Sequence, residues 1–365
     1  MVNLDSLINQ FRRVYGSPPR VFSAPGRVNL IGEHTDYNDG FVLPTAIPQR
    51  TTVSLKRSGE EWFNAYSADL DQHARFKLDS PPSAAFVKYL FGCVTEFSNV
   101  HPVPPLNLYI ESTVPIGVGL SSSAALEVAT LRALNALCAA QVDDLTIALM
   151  AQRAEIKHAG VKCGVMDQMA ASFADIGSML FIDTRTLERK LLPLPQGTEI
   201  AVIDSGVARS LANSKYNERR TECERAAELL HVPALRDVSQ IELLRDLPEL
   251  LHRRARHVVT ENQRVLLAAD GIDGKGFGVL MNASHRSLRD DFEVSVPAVD
   301  ALVQSLQQQS SVYGARLTGA GFGGACVALC RQGEAHALAS AAVAEFNAGN
   351  HRGRILAPAS QSMSQ

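Results

Sequence analysis

The chain lacks several features that would place it in a specialised class. Its six cysteines are scattered over 365 residues without Cys-x-x-Cys spacing, which favours buried reduced thiols over a zinc site or a disulfide framework. No apolar run approaches the roughly 18 residues of a membrane span, and the N-terminus has no apolar signal region. We therefore expect a cytoplasmic protein that does not associate with membranes.

The chain also lacks the excess of basic residues that is typical of nucleic-acid binders. Its formal net charge is -3 and its isoelectric point is near 6.4, which argues against a nucleic-acid partner. Hydrophobic residues make up 46% of the chain, so disorder is not expected except at the ends. The length exceeds what one hydrophobic core usually holds, and it predicts two domains.

Strand-like runs followed by helical runs favour an α+β fold over a regular βαβ array. Residues 191–197, which include two prolines and a glycine, are the best linker candidate, so we expect domains over 1–195 and 196–365. The predicted strands cover 20–24, 40–47, 51–56, 106–110, 179–183 and 199–204. The predicted helices cover 4–11, 84–97, a segment from 121 onward, 146–158, 214–230, 255–269 and 335–346.

Residues 115–124 read Pro-Ile-Gly-Val-Gly-Leu-Ser-Ser-Ser-Ala. Glycines remove side chains where a backbone approaches a ligand closely, and the serines lie at a predicted helix start, where N–H groups and the helix dipole attract an anion. Serine hydroxyls at this place can bind phosphate or Mg²⁺, although ordinary N-capping is the alternative. The loop is not a Walker A sequence, and residues 285–287 lack the aspartate of a protein-kinase catalytic loop.

A second polar segment lies between apolar runs at residues 24–38. Glu33, His34 and Asp36 place three hydrogen-bonding side chains within four positions, a mixture that suits a polyhydroxylated sugar and discriminates between epimers. A metal site is the rival interpretation, but a single histidine argues against zinc. A solvated polar turn is the remaining alternative.

Asp167 lies among apolar residues in the segment 163–169, Cys-Gly-Val-Met-Asp-Gln-Met. A carboxylate in such a setting must be paired or hydrogen-bonded, because an unpaired buried charge is costly. Glu155 lies twelve residues earlier on a predicted helix, and the two acids fit one catalytic carboxylate and one magnesium ligand. Helix capping by Asp167 is the alternative.

Residues 316–326, Arg-Leu-Thr-Gly-Ala-Gly-Phe-Gly-Gly-Ala-Cys, superficially match a dinucleotide fingerprint. That interpretation fails because an apolar, strand-like run at 325–330 follows the glycines where a helix should begin. A flexible glycine loop that closes over a nucleotide or a sugar fits the pattern better.

Together, these segments resemble the galactokinase family of the galactokinase, homoserine kinase, mevalonate kinase and phosphomevalonate kinase (GHMP) superfamily. Residues 115–124 match the superfamily motif, whereas 26–38, 163–168, 216–224 and 284–292 match the galactokinase pattern. The resemblance covers nearly the whole chain. It implies a two-domain α+β GHMP kinase fold with the active site in the interdomain cleft. The domain 1–195 would carry the sugar motif, phosphate loop and catalytic aspartate, and the Gly-rich loop of 196–365 would close the cleft.

The resemblance also implies an activity: transfer of the γ-phosphate of ATP to the C1 hydroxyl of galactose by a monomer that uses Mg²⁺. It implies that Asp167 is the base and that Arg27 neutralises charge beside it. The implied galactose-binding residues are Glu33, His34, Thr35, Asp36, Gly164 and Tyr216. The implied ATP-binding residues are Ser67, Gly117, Val118, Gly119, Leu120, Ser121, Ser122 and Ser123. The implied metal ligands are Ser123 and Glu155.

One departure from the family pattern concerns the nucleotide. This chain has Phe86 where many members place a tryptophan near the adenine, so the preference for ATP over GTP is left open, although phenylalanine can still stack. Two other functions also stay open: a kinase for N-acetylgalactosamine or arabinose, and a catalytically inactive sensor of galactose and ATP. The sensor would be favoured by insertions in the two catalytic segments, which this sequence does not have.

Overall fold

The computed structural model describes residues 4–16, 19–208 and 212–358. Within these ranges, no helix combines the length and the hydropathy that a membrane crossing requires. The α-helices are α1 Leu4–Tyr15, α2 Ala85–Ser98, α3 Ser122–Cys138, α4 Asp144–Ala154, α5 Met166–Phe173, α6 Ala212–Leu229, α7 Glu249–Ala269, α8 Gly274–Asp290, α9 Pro297–Gln308 and α10 Ala335–Ala348. The strands are β1 Arg20–Asn29, β2 Phe41–Val42, β3 Pro44–Arg57, β4 Phe63–Ser67, β5 Gln72–Phe76, β6 Leu106–Ser112, β7 Ser178–Asp183, β8 Arg189–Pro193, β9 Thr198–Asp204, β10 Val312–Leu317, β11 Ala325–Arg331 and β12 Arg354–Ala357.

The chain forms two compact units, and each is discontinuous in sequence. Unit 1 comprises Met1–Gly26, Gln49–Pro115 and Ser121–Phe173, and unit 2 comprises Arg27–Pro48, Ile116–Leu120 and Ala174–Gln365. The predicted linker at 191–197 forms the end of β8 and the turn into β9, so the predicted boundary between residues 195 and 196 falls inside unit 2. As a domain boundary, it stays a prediction.

Unit 1 is built on a sheet with the strand order β1-β3-β6-β4-β5. Strand β4 pairs with β6 in parallel, whereas β3 pairs with β6 and β4 pairs with β5 antiparallel. Helices α2, α3 and α4 bury their apolar faces in the core of this unit, which includes Val53, Leu90, Leu108, Val128 and Met150. The same helix α3 begins at the serines of the phosphate-loop motif, so this core fixes the helix start.

Unit 2 contains an antiparallel sheet of order β10-β11-β9-β12 and a small sheet of order β2-β7-β8. Its core is formed by inward-facing residues of β9, β10 and β11 and by the apolar faces of α7 to α10, including Ile203, Val258, Phe292, Leu302 and Cys326. The Gly-rich segment 319–324 is the connection from β10 to β11. The prediction of an α+β fold is confirmed.

Most predicted elements are confirmed, but the strand prediction at residues 40–56 is wrong in detail. Instead of two strands with turn residues between them, a short β2 is followed by one long strand, β3. On the side that faces β6, Pro48 precedes the pairing, which begins at Thr51, so the proline removes no donor from that ladder. All six cysteines lie in the described ranges, where they form no disulfide, and four of them are buried.

Candidate functional site

The serine segment 121–123 forms the start of α3 in unit 1. Ser121 precedes the helix in a left-handed conformation, with φ 59° and ψ 45°. Its hydroxyl makes no N-capping hydrogen bond within the described chain and instead donates to Oδ2 of Asp167 at 2.5 Å. The capping alternative for Ser121 is therefore wrong, and the first N–H groups of α3 are oriented as in an anion-binding helix start.

Asp167 lies in the first turn of α5, half-buried and directly before Gln168. Gln168 is fully buried, and its amide Nε2 donates to Oε2 of Glu155 at 2.7 Å and to Oε2 of Glu127 at 3.3 Å. The other oxygen of Glu155 accepts the hydroxyl of Ser123 at 3.1 Å. Unit 1 therefore joins the two serines to the two acids by separate hydrogen bonds, Ser121 to Asp167 and Ser123 to Glu155, and Asp167 is next in sequence to Gln168, which binds Glu155.

The backbone around Glu155 departs from the α-helix, because residues Glu155–Ala159 form a π-helical turn after α4. Such turns are often found at functional sites. Burial raises the pKa of the Glu155 carboxyl to about 7, and the neighbouring charge of Asp167 adds to this shift. A cation placed beside Glu155 would favour its ionised form.

Glu127 is a buried acid that the sequence reasoning missed. It lies one helical turn after Ser123 and has no exposed surface, and its Oε1 has no hydrogen-bond partner in the described part of the chain. Burial, with the charge of Glu155, raises the pKa of Glu127 well above its usual value. The signal was present in the sequence as a single acid within the apolar stripe of α3.

The preceding part of the phosphate loop belongs to unit 2. Gly117 and Gly119 have positive φ angles of 80° and 84°, which glycine adopts without strain. Arg27 is buried at the end of β1, where its backbone N–H donates to the carbonyl of Leu120 at 3.1 Å and its Nη1 donates to the carbonyl of Gly119 at 2.6 Å. The N–H of Ala325 donates to the carbonyl of Val118 at 3.0 Å. Arg27 thus holds the glycine part of the loop in place.

Glu33 is buried, and its carboxylate accepts a hydrogen bond from the Gly-rich segment of unit 2. Oε1 accepts the N–H of Gly319 at 2.5 Å and the hydroxyl of Thr318 at 3.2 Å, and Oε2 accepts Nδ2 of Asn29 at 2.5 Å. The fully buried guanidinium of Arg316 lies 3.7 Å from Oε1. Burial raises the pKa of Glu33, although Arg316 and Arg27 oppose the shift.

The backbone of His34 is left-handed, with φ 64°, and its ring lies in an aromatic cluster. Its Nδ1 is 2.8 Å from the hydroxyl of Tyr37, and its ring centroid is 5.5 Å from that of Tyr216 and 4.7 Å from that of Phe292. Burial lowers the pKa of His34 well below its usual value, so the imidazole is neutral. Nε2 of His34 is buried without a hydrogen-bond partner within the described ranges, and a ligand hydroxyl would satisfy it.

The remaining predicted residues are located as follows. The hydroxyl of Thr35 contacts the carbonyls of Gly32 and Phe41, at 2.8 and 2.7 Å, so Thr35 shapes the loop. Asp36 begins a short 3₁₀ turn and is partly exposed. In unit 1, Gly164 is buried just before α5, Ser67 is buried at the end of β4, and Phe86 packs partly buried on α2.

The predicted site residues thus form two groups. Unit 1 contains Ser67, Ser121, Ser122, Ser123, Glu155, Gly164 and Asp167, and unit 2 contains Arg27, Glu33, His34, Thr35, Asp36, Gly117, Val118, Gly119, Leu120 and Tyr216. In the described ranges, no three or more His, Cys, Asp or Glu side chains are arranged to hold a metal ion by themselves. Any divalent cation at Ser123 and Glu155 would therefore need further ligands from water or a bound substrate.

Comparison with known proteins identifies the family. A family model described as the galactokinase galactose-binding signature matches residues 9–57, and models of the GHMP kinases N terminal and C terminal domains match residues 88–175 and 265–348. A galactokinase from Roseiflexus sp. (strain RS-1) is 44% identical over 344 residues, which cover 90% of this chain and 88% of that protein. The chain belongs to the galactokinase family. It is accordingly an ATP-dependent sugar kinase, as the motifs predicted.

Solved structures agree with this assignment. The crystal structure of Lactococcus lactis galactokinase complexed with galactose matches with a TM-score of 0.89 at 30% identity, over 97% of each chain. The structure of Methanococcus jannaschii mevalonate kinase matches with a TM-score of 0.67 at 20% identity, over 93% of this chain and 98% of that one, and it shows the fold alone. The predicted two-domain GHMP kinase fold is confirmed.

Proposed function

We propose that the chain transfers the γ-phosphoryl group of ATP to the C1 hydroxyl of α-D-galactose, giving galactose 1-phosphate and ADP. The observation that carries the proposal is the hydrogen bond from Ser121, at the start of α3, to the carboxylate of Asp167. It couples an anion-binding helix start to an acid that can receive a proton. Small-molecule substrates are the partners, and we propose a cytoplasmic monomer.

The nucleotide phosphates would bind along Gly117 to Ser123, where positive-φ glycines leave the backbone accessible and the helix N-terminus attracts negative charge. The adenine would lie near Ser67 and Phe86. Arg27 fixes the carbonyls of Gly119 and Leu120, and its positive charge would stabilise the transferring phosphoryl group.

We assign galactose to Glu33, His34, Thr35, Asp36, Gly164 and Tyr216. The neutral His34, with its unsatisfied Nε2, offers one directed contact to a hydroxyl, and the ring of Tyr216 lies next to it. Buried polar groups of this kind discriminate strongly against a sugar epimer that leaves them unpaired. Asp167 would contact the C1 hydroxyl.

We assign Mg²⁺ to Ser123 and Glu155. The fit is chemical: Mg²⁺ prefers oxygen ligands and is usually bound by one or two carboxylates together with substrate phosphates. Glu155 is a buried carboxyl already in contact with the Ser123 hydroxyl, and the nearby Oε1 of Glu127 lacks a partner in the described ranges. When bound, the ion would neutralise charge on the β- and γ-phosphates.

The residues of this chain then act mainly by positioning. In a loose transition state, the γ-phosphoryl group leaves ADP early and the sugar hydroxyl loses its proton late, so a carboxylate such as Asp167 is a sufficient base. The bond from Ser121 orients that carboxylate, and the bonds from Gln168 fix Glu155 beside it. The proton passes from the C1 oxygen to Asp167 as the new O–P bond forms.

A sugar panel tests this function. The chain is incubated with ATP, Mg²⁺ and either galactose, glucose, mannose, N-acetylgalactosamine or arabinose, and ADP release is measured in a coupled assay. We expect galactose to give a kcat/KM at least about 100-fold above that of glucose, because the C4 epimer leaves buried groups unpaired. A higher kcat/KM with N-acetylgalactosamine or arabinose would assign the chain to that sugar, and no sugar-dependent ADP release would overturn the kinase proposal.

A further inference from the structure

Helix α7 carries polar side chains on a face that is buried in unit 2. His257 and Glu261, one turn apart, have no exposed surface, and Asn262 is 7% exposed. Their neighbours Val258 and Val265 are fully buried apolar residues. Buried polar groups must be hydrogen-bonded to be tolerated in a core, so the partners of these three side chains indicate what they do.

All three side chains bind backbone groups of the segment 32–41, which contains the proposed sugar-binding residues. Nε2 of His257 is 3.0 Å from the carbonyl oxygen of Glu33. Oε1 of Glu261 accepts the N–H of Gly32 at 2.8 Å, and Oδ1 of Asn262 accepts the N–H of Phe41 at 3.0 Å. One helix face therefore holds both ends of the sugar-binding segment.

The segment 32–41 packs so closely against α7 that a side chain at Gly32 or Gly40 would clash with it. A Cβ atom at Gly40 would be 2.3 Å from Oδ1 of Asn262. A Cβ atom at Gly32, where φ is 104°, would be 2.9 Å from a methyl group of Val265 and 2.7 Å from the carbonyl of Phe41. Glycine at both positions allows the backbone to approach the helix.

A second layer of contacts fixes these side chains in turn. The hydroxyl of Ser284 donates to Oε1 of Glu261 at 2.7 Å, and Arg264 pairs with Oε2 at 2.7 Å. Nδ1 of His257 is 2.9 Å from the hydroxyl of Ser287. The ring of His257 also lies 4.6 Å from that of Phe292, which contacts the ring of His34. Rigid support of this kind holds a binding group within the narrow limits that recognition requires.

We propose that His257, Glu261 and Asn262 are positioning residues that set the affinity for the sugar and the choice between epimers, without contacting either substrate. The proposal rests on the proposed function, since it assumes that the segment 32–41 binds the sugar. Loss of one contact would let the backbone of Glu33 and His34 move, which weakens sugar binding. The nucleotide would bind as before, because these contacts lie on the sugar-binding segment.

The test compares His257→Leu, His257→Gln and Val258→Ala with the wild type. His257→Leu removes the donor to the Glu33 carbonyl, His257→Gln retains an N–H donor, and Val258→Ala is the matched control because it removes buried volume from the same helix. We expect His257→Leu to raise KM for the sugar about 10-fold and to lower the ratio of kcat/KM for galactose to that for glucose. KM for ATP should stay within about two-fold of the wild-type value. His257→Gln should recover most of the affinity. Val258→Ala should lower the melting temperature with an unchanged KM.

The inference fails if folded His257→Leu keeps a wild-type KM for the sugar, if both KM values rise together, or if Val258→Ala raises KM for the sugar equally. If His257→Leu does not fold, Asn262→Leu replaces it, with the same criteria. The comparison uses whichever sugar the wild type phosphorylates. A wild type that does not phosphorylate galactose would thus overturn the proposed function. The role of α7 is decided only by the comparison of the variants with the wild type.

Discussion

In unit 1, individual side chains connect the proposed base to the proposed metal ligand and both acids to the serine segment. Asp167 is the proposed base, and its neighbour Gln168 binds the carboxylate of the proposed metal ligand, Glu155. The hydroxyls of Ser121 and Ser123, two positions apart, contact Asp167 and Glu155 respectively. The proposed phosphate-binding segment is therefore connected to both acids by hydrogen bonds.

Asp167→Ala should lower kcat by about 10³-fold, because a positioned general base and its orientation are both lost. The fold should be unaffected, since Asp167 is half-buried and lies at the start of a short helix. The measurement is steady-state kinetics together with thermal unfolding. Asp175→Ala, which removes an exposed acid just after α5, is the control and should retain wild-type kcat. A near-wild-type kcat in Asp167→Ala would remove the base assignment.

At the residue scale, the sequence led to the proposed site residues but not to the residues that support them. Motifs identified Asp167, Glu155 and Glu33 because these residues lie in contiguous, recognisable segments. Glu127 and His257 were not predicted as site residues because each lies inside an amphipathic helix. One polar residue in the apolar stripe of a helix gives little local signal. Their partners lie far away in sequence: the carbonyl of Glu33 is 224 residues from His257.

At the scale of elements, the predicted helices were confirmed because their apolar residues recur at helical spacing, whereas α5, α8 and α9 were not predicted. Helix α7 is the exception in extent: it begins at Glu249, directly after Pro248, six residues before the predicted start. Its first turns carry Arg253 and Arg254, which pair with acids of α6 and of the segment after α8. Ion pairs between distant segments replace apolar periodicity there, and no local pattern reports them.

The connection from β10 to β11 requires glycine where it approaches other backbone closely, and one of these positions, Gly319, lies against the phosphate loop. Gly319 has φ 80°, and a Cβ atom there would be 2.6 Å from the carbonyl oxygen of Gly119, which also accepts the hydrogen bond from Arg27. The Gly-rich segment therefore supports the phosphate loop within unit 2. This observation gives the glycine motif a structural role that the sequence only suggested.

Gly319→Ala should lower the free energy of unfolding by about 2 kcal/mol and raise KM for ATP, because the new methyl group must displace the Gly119 carbonyl. Gly333→Ala is the matched control: its φ is 85°, but no atom lies within 4 Å of the added Cβ. Urea unfolding and ATP kinetics would be compared. Equal losses of stability in the two variants, with KM for ATP unchanged in both, would contradict this role.

At the scale of the whole molecule, the chain passes repeatedly between its two units. The phosphate-loop motif changes unit between Leu120 and Ser121, and strand β1 changes unit between Gly26 and Arg27. The sequence predicted two contiguous domains, because the prolines and the glycine of residues 191–197 are typical of a single linker. Discontinuous units have no such linker, since the crossings lie inside strands and functional loops.

Stability should depend on pH through His257. Burial lowers the pKa of His257 to about 4, although Glu261 and Asp291 oppose the shift, and Arg264 adds to it. Between pH 6.5 and 4, the unfolded chain binds the proton and the folded chain does not, so stability is lost as pH falls through this window. The shift corresponds to about 3 kcal/mol.

Urea unfolding at pH 7, 6, 5 and 4 measures this effect as the difference between the wild type and His257→Gln. The variant should lose less stability than the wild type as pH falls, since glutamine does not titrate. Glu261 remains ionised throughout: burial alone would raise its pKa, but Arg264 and His257 lower it to about 2. Parallel pH profiles for the two proteins would show that His257 is not held neutral by burial.

The identity of the phosphorylated carbon tests the central claim most directly. The chain is incubated with ATP, Mg²⁺ and galactose labelled with ¹³C at C1, and the product is analysed by ¹³C and ³¹P NMR. The account predicts that the labelled carbon couples to phosphorus and that the product is the α anomer of galactose 1-phosphate. Phosphorus on another carbon, or bound galactose and ATP without any phosphorylated sugar, would contradict it.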